Sequence, residues 1–214
     1  MTDALRARLY ALKVLDALKT QASYCANIRY DVRALWSDTW ELPEFFDAMS
    51  LTITRGFRQA WEEGMLMAGL TFEDITPEEQ LVLQRMIYEE MAYVLPFGLD
   101  IIAGSRENGG KLSDQYRRAE LWCARYINLR NQALASAKSD PVLEWVTNAM
   151  ESCTSCLKLS GQRRRASVWS RLDVHPQHRD KLECMISAGG PDVCQCTFVP
   201  TDQPPTRGRL PKLP

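Results

Sequence analysis

The stretch Thr76-Pro77-Glu78-Glu79-Gln80-Leu81-Val82-Leu83 decides the fold class. Thr76 can accept from the backbone three residues on, Pro77 suits a first helical position, and Glu79 can reach back to the Thr76 amide. Together they form the signature of a capped helix start. The helix expected to follow runs to about Ser105, with Pro96 inside it lacking the N–H that would bond four residues back. Glu107-Asn108-Gly109-Gly110 then reads as a turn.

The same reading extends in both directions. Leu5, Leu9, Leu12, Leu15 and Leu18 recur at steps of three and four, predicting a helix over Asp3–Thr20. A second is expected over Ala22–Ser37, carrying Tyr24, Ile28, Val32, Leu35 and Trp36, and a third over Pro43–Ala68, carrying Phe46, Met49, Ile53, Phe57, Ala60, Trp61 and Met65. Downstream, Ser113 is expected to cap a helix reaching Ser136. Asp140-Pro141 ends it, and Val142–Met150 is open to a short helix or strand. The Trp and Met residues at helical spacing read as core, and the pairs Glu62-Glu63, Glu78-Glu79 and Glu89-Glu90 as solvated faces.

Composition shifts near residue 140–150. The whole chain carries a formal net charge of −1, but residues 151–214 hold ten Lys and Arg against six Asp and Glu. That part is +4, which leaves −5 for residues 1–150. Five of the seven cysteines and both histidines also lie after residue 150. The longest apolar runs, such as Tyr93–Phe97, fall far short of the ~18 residues a membrane span needs. The N-terminal MTDALRARLYALK mixes charge into its apolar residues, so no signal peptide is expected. We therefore expect a soluble protein from a reducing compartment.

Catalytic signatures are missing from the helical part. No Gly-x-Ser-x-Gly or phosphate-loop spacing occurs, no Glu-x-x-His accompanies the carboxylates, and no histidine precedes His175. The sequence leads us to expect no enzyme.

The chemistry concentrates in Cys153-Thr154-Ser155-Cys156, Cys184, and Cys194-Gln195-Cys196. A C-x-x-C turn brings two sulfurs within reach of one ion, and cysteines ~30–40 residues later can complete a tetrahedral zinc site. Structural zinc, disulfides and buried thiols all remain open from spacing alone. For zinc the expected ligands are Cys153, Cys156, Cys184 and Cys194, with Cys196 in reserve. His175 and His178 read by default as surface or hydrogen-bonding histidines. Arg163-Arg164-Arg165 is the one dense basic run, expected at an exposed hairpin tip where it could meet phosphate or an acidic neighbour. The last stretch, from Pro200 to Pro214, is expected to be an extended tail able to order on a partner.

One set of residues carries a resemblance: Arg125, Arg130 and Asn131; Trp145; Cys153, Cys156, Leu157, Leu159 and Gly161; Trp169; Pro176 and His178; Cys194, Cys196, Phe198 and Pro200. This order, over about Leu121–Pro200, resembles the C-terminal domain of phage minor head proteins of the Mu-F type, also called head morphogenesis proteins. The family's compact H-P-x-C-R-C ending is spread out here by Arg179–Val193, which includes Cys184.

The resemblance implies a virion or head-assembly protein that binds portal or capsid subunits, with a zinc knuckle as structural staple and no catalysis. Its place would be the capsid interior or portal vertex, after assembly in the host cytoplasm, where it could contact packaged DNA. The alternative is a nucleic-acid-binding zinc ribbon using Arg163–Arg165 and the basic tail. A zinc deaminase is disfavoured, because Glu151 precedes the C-x-x-C without the required Pro-Cys context.

The expected architecture is therefore mainly α. A helical domain over residues 1–140 is followed by a cysteine-rich, zinc-knuckle-like α+β lobe over 141–200 and a Pro-rich tail over 201–214.

Overall fold

A computed structural model describes residues 3–147, 152–177, 182 and 196–213, with side chains from Thr20 onward. Four long helices form the first part: α1 (Asp3–Trp36), α2 (Leu42–Met67), α3 (Pro77–Ala103) and α4 (Leu112–Ser136). No strand precedes residue 140 among the described residues. None of the described helices is long and apolar enough to cross a membrane.

The capping signals act as their chemistry requires. The Glu79 amide donates to the Thr76 hydroxyl at 3.2 Å, and the Thr76 amide to the Glu79 carboxylate at 2.9 Å. Glu41 and Glu44 close a similar box at the start of α2. Two expected boundaries move. The break near Gln21 does not exist, because Thr20-Gln21-Ala22-Ser23 holds no glycine or proline to interrupt the helical ladder, and α1 runs through it. Ser113 lies inside α4 rather than capping it. The preceding turn closes tightly, with the Gly110 amide on the Ser105 carbonyl at 3.0 Å, so the helix begins with Lys111 as its cap residue.

The bundle core is built from one face of each helix. Tyr24, Ile28, Val32 and Leu35 of α1 meet Phe45, Met49, Ile53, Phe57 and Trp61 of α2, and Val94, Phe97 and Ile101 of α3. Trp122, Tyr126 and Leu129 of α4 close it. Gly64 lets α2 and α4 approach closely, since a Cβ there would lie 2.5 Å from the Arg130 carbonyl oxygen.

The lobe is a three-stranded antiparallel sheet of β1 (Val142–Val146), β2 (Arg163–Arg165) and β3 (Thr197–Pro200), in the order β2-β1-β3. Trp145 lies opposite Phe198, and Leu143 opposite both Arg164 and Pro200. Two short helices, α5 (Thr154–Leu159) and α6 (Ala166–Leu172), flank it. A second apolar core forms here from Leu143, Trp145, Cys156, Leu159, Trp169, Cys196 and Phe198. Leu134, Ala135 and Ala137, from the end of α4 and just beyond it, belong to this second core, so α4 serves both parts.

Candidate functional site

Besides the apolar contacts of Leu134 and Ala135, a buried amide side chain of α4 anchors the lobe. Asn131 is fully buried, and its Oδ1 accepts from the Phe198 amide and the Thr197 hydroxyl, both at 2.9 Å. Its Nδ2 donates to the Cys196 carbonyl at 3.4 Å. Beside it, Arg130 donates to the Thr197 hydroxyl at 3.2 Å. An exposed helix would not place an asparagine with no solvent contact; this one replaces the missing neighbour at the end of β3. One turn earlier, Arg125 pairs with Glu90 of α3 at 3.0 Å.

Above this anchor three aromatic rings close on one another. Centroid separations are 5.6 Å for Trp145–Trp169, 5.4 Å for Trp145–Phe198 and 5.2 Å for Trp169–Phe198. Such tilted and edge-on contacts add to what burial alone contributes. The Trp169 indole donates to the Leu143 carbonyl at 3.2 Å, while the buried Trp145 Nε1 has no acceptor among the described residues.

The C-x-x-C turn forms the start of α5. Cys153 takes the cap position, and its sulfur accepts the Cys156 amide at 3.4 Å. Cys156 is fully buried and Cys153 is half-buried. Gly161, at φ +72°, turns the chain so that its amide reaches the Trp145 carbonyl at 2.9 Å. Cys196 sits just before β3, 1% exposed, with its sulfur 4.0 Å from the Ser152 hydroxyl, next to the C-x-x-C. None of the five described cysteines is disulfide-bonded to another of them.

Among the described residues, no group of three or more His, Cys, Asp or Glu is placed to hold a metal. Cys184, Cys194 and His178 lie outside the described residues. His175 lies within them, with Nδ1 3.1 Å from the Pro176 carbonyl oxygen.

Arg164 corrects the exposed-tip expectation, whereas Arg165 is exposed as expected and Arg163 is partly so. They form strand β2, and alternation along a strand turns the middle residue to the opposite face from its neighbours. Arg164 is 7% exposed and donates to the carbonyls of Arg163 at 2.8 Å, Gly208 at 3.2 Å and Thr206. Arg163 donates to the Pro204 carbonyl at 3.2 Å, and Arg165 to the Asp140 carbonyl at 3.3 Å. The tail supplies three of these acceptors, the carbonyls of Pro204, Thr206 and Gly208. It has no regular secondary structure but lies along β2, and Leu210 and Leu213 pack against the lobe core. Sequence reasoning missed this docking, since it weighed the tail's proline content and not the carbonyls a buried arginine needs.

Glu63 corrects the solvated-face expectation for Glu62-Glu63. It is 9% exposed, and the Tyr126 hydroxyl donates to it. Burial raises its carboxyl to about 7, against the opposing pull of that hydroxyl and of Arg130. Its spacing held the signal, because Glu63 falls three residues after Ala60 and six after Phe57, on the apolar face of α2. Asp31, hydrogen-bonded by Thr52 at 2.9 Å, is likewise raised by burial to about 6. In the same bundle the thiols of Cys25 and Cys123 are hydrogen-bonded to each other, and that contact together with burial pushes the Cys123 thiol up.

No protein family, curated protein or solved structure matches the chain.

Proposed function

We propose that this chain is a phage minor capsid or head morphogenesis protein of the Mu-F type. In this reading it is a structural and interaction protein without catalytic activity, bound to portal or capsid subunits in the virion. One observation supports the reading above the others. Arg130, Asn131, Trp145, Cys156, Leu159, Gly161, Trp169, Cys196 and Phe198 are scattered over nearly 70 residues of sequence, yet they build one unit. Asn131 holds the strand that carries Phe198, the rings pack together, and the cysteine turn borders them. Residues that resemble a family motif and also share one structural task are better grounds than spacing alone.

In this reading the cysteines would hold a structural zinc ion. Cys153 and Cys156 share a helical turn with a backbone amide on the Cys153 sulfur, and Cys184 and Cys194 would complete four ligands. The zinc would act as a staple for a small, cysteine-rich lobe with a limited apolar core. The nucleic-acid alternative is weaker, because Arg164, its central residue, is buried against tail carbonyls.

Co-expression with the portal and major capsid proteins of the same genome tests the proposal. The tagged chain is expected to retain one of them through purification at a fixed ratio. Recovery of the chain alone, with both candidates in the flow-through, would overturn it.

A further inference from the structure

Helix α3 buries Leu83, Val94, Phe97, Gly98 and Ile101 on one face. Its opposite face is not polar. Leu81 is 66% exposed, Tyr88 79%, Leu95 46%, Leu99 53% and Ile102 38%. With Arg85 and Ala92, which are also exposed, these residues follow one another at steps of four, three, four, three, four and three. That alternation is the seam of a coiled coil, kept in register over about 32 Å of helix at 1.5 Å per residue. A helix whose outer face faces only water has no use for it.

We infer that this seam pairs with the same helix of a second copy of the chain, running antiparallel about a two-fold axis. The inference is independent of the phage assignment. Three features select this occupant. The first is area: side chains of this size at these exposures leave roughly 600–700 Å² of seam in water, at or above the largest apolar patch of a typical monomer. It approaches the ~800 Å² per partner of a standard interface. The second is fit. Setting Ala92 against Leu95 of the other copy brings Tyr88 against Leu99 and Arg85 against Ile102, so a small residue faces a large one at the centre, and each contact occurs twice, as an isologous interface requires.

The third feature is charge. The same register carries Arg85 to the C-terminal turn of the opposing α3, where unpaired carbonyls favour a cation. The other charges bordering the seam are already matched within the chain. Arg85 lies 3.5 Å from Glu89, Glu90 pairs with Arg125, and Asp100 with Arg118. Little uncompensated like charge is left to oppose a second copy.

Sedimentation equilibrium of the full chain tests the inference, with thermal melting as the folding control. A dimer at tens of micromolar is expected. The double substitution Leu95→Lys with Leu99→Lys should weaken it by roughly 100-fold or more while the variant still melts cooperatively, at the temperature of the unchanged chain diluted to its monomer. A monomer at all concentrations overturns the inference, and assigns the seam to a different protein. A dimer indifferent to that substitution overturns it as well. Direction is read with a short thiol-reactive cross-linker. Ala92→Cys should link to itself across the axis, whereas Leu81→Cys should not; self-linking at Leu81→Cys means parallel helices and overturns the arrangement.

Discussion

At the scale of single residues, the fold buries polar positions that side-chain type alone does not mark as buried. Glu63, Asn131 and Arg164 each sit where side-chain type alone predicts solvent, and each is held by partners remote in sequence: Tyr126, the β3 backbone and the tail carbonyls. A one-dimensional reading sees the charge and not the partner, so such residues are legible only through periodicity, as Glu63 was on the apolar face of α2.

Their burial has measurable consequences. Because the folded protein raises Glu63 to about 7 and Asp31 to about 6, it binds protons that the unfolded chain has already lost. Stability should therefore be highest near pH 4.5 and fall as pH rises toward 7, where the folded state must ionise a buried carboxyl. Glu63→Gln keeps an oxygen acceptor for Tyr126 and removes the titration. Urea unfolding across this range should show a flatter profile for the variant and greater stability than the unchanged chain at pH 8. An identical slope would mean that Glu63 ionises as freely folded as unfolded.

At the scale of elements, α2, α3 and α4 emerge within a residue or two of where apolar spacing and capping chemistry put them, while the segment of β1 is legible only as helix or strand and β2 is not anticipated. Helix periodicity is a local property, written into consecutive residues. Strand β2 is three arginines, and nothing in Arg163–Arg165 announces a strand until β1 offers hydrogen bonds on one side and the tail acceptors on the other. The helical prediction is tested by Leu129→Ala, which empties a fully buried site in α4 and should cost ~2–5 kcal/mol by chemical denaturation. The strand is tested by serine substitutions taken singly. Arg164→Ser should cost about 1.5–3 kcal/mol, the range for hydrogen bonds to a charged group whose partners are left unpaired. Arg165→Ser, at a mostly exposed side chain, should cost under ~1 kcal/mol. Equal losses at both would contradict the alternation of faces along β2.

At the scale of the whole molecule, the charge and cysteine asymmetry near residue 140–150 marks the change from bundle to lobe, while the part α4 plays in both is hinted at only by the resemblance that includes Arg130 and Asn131, and Leu134 carries no sign of it. If zinc staples the lobe as proposed, protein purified without chelator should contain about one zinc per chain by elemental analysis. Cys153→Ser or Cys156→Ser should lose it, and Cys25→Ser or Cys123→Ser should keep it. Acid should release the ion by protonating the thiolates and loosen the lobe before the bundle. A metal-free protein whose lobe is unaffected by those substitutions would remove zinc from the account. The anchoring of β3 by Asn131 also has a consequence in time. The centre of the sheet, β1, is made some fifty residues before β3, so Asn131 lacks the strand it anchors and Trp145, though it meets Trp169, lacks Phe198 until β3 arrives. Contacts this distant in sequence form slowly, whereas the bundle is closed by helices that are already complete. During synthesis the chain therefore passes through a stage in which a finished bundle carries an open, aromatic-rich strand. Pulsed hydrogen exchange on refolding should show bundle amides protected first and Phe198 late. A nascent chain stalled before Thr197 should be the form that chaperones capture.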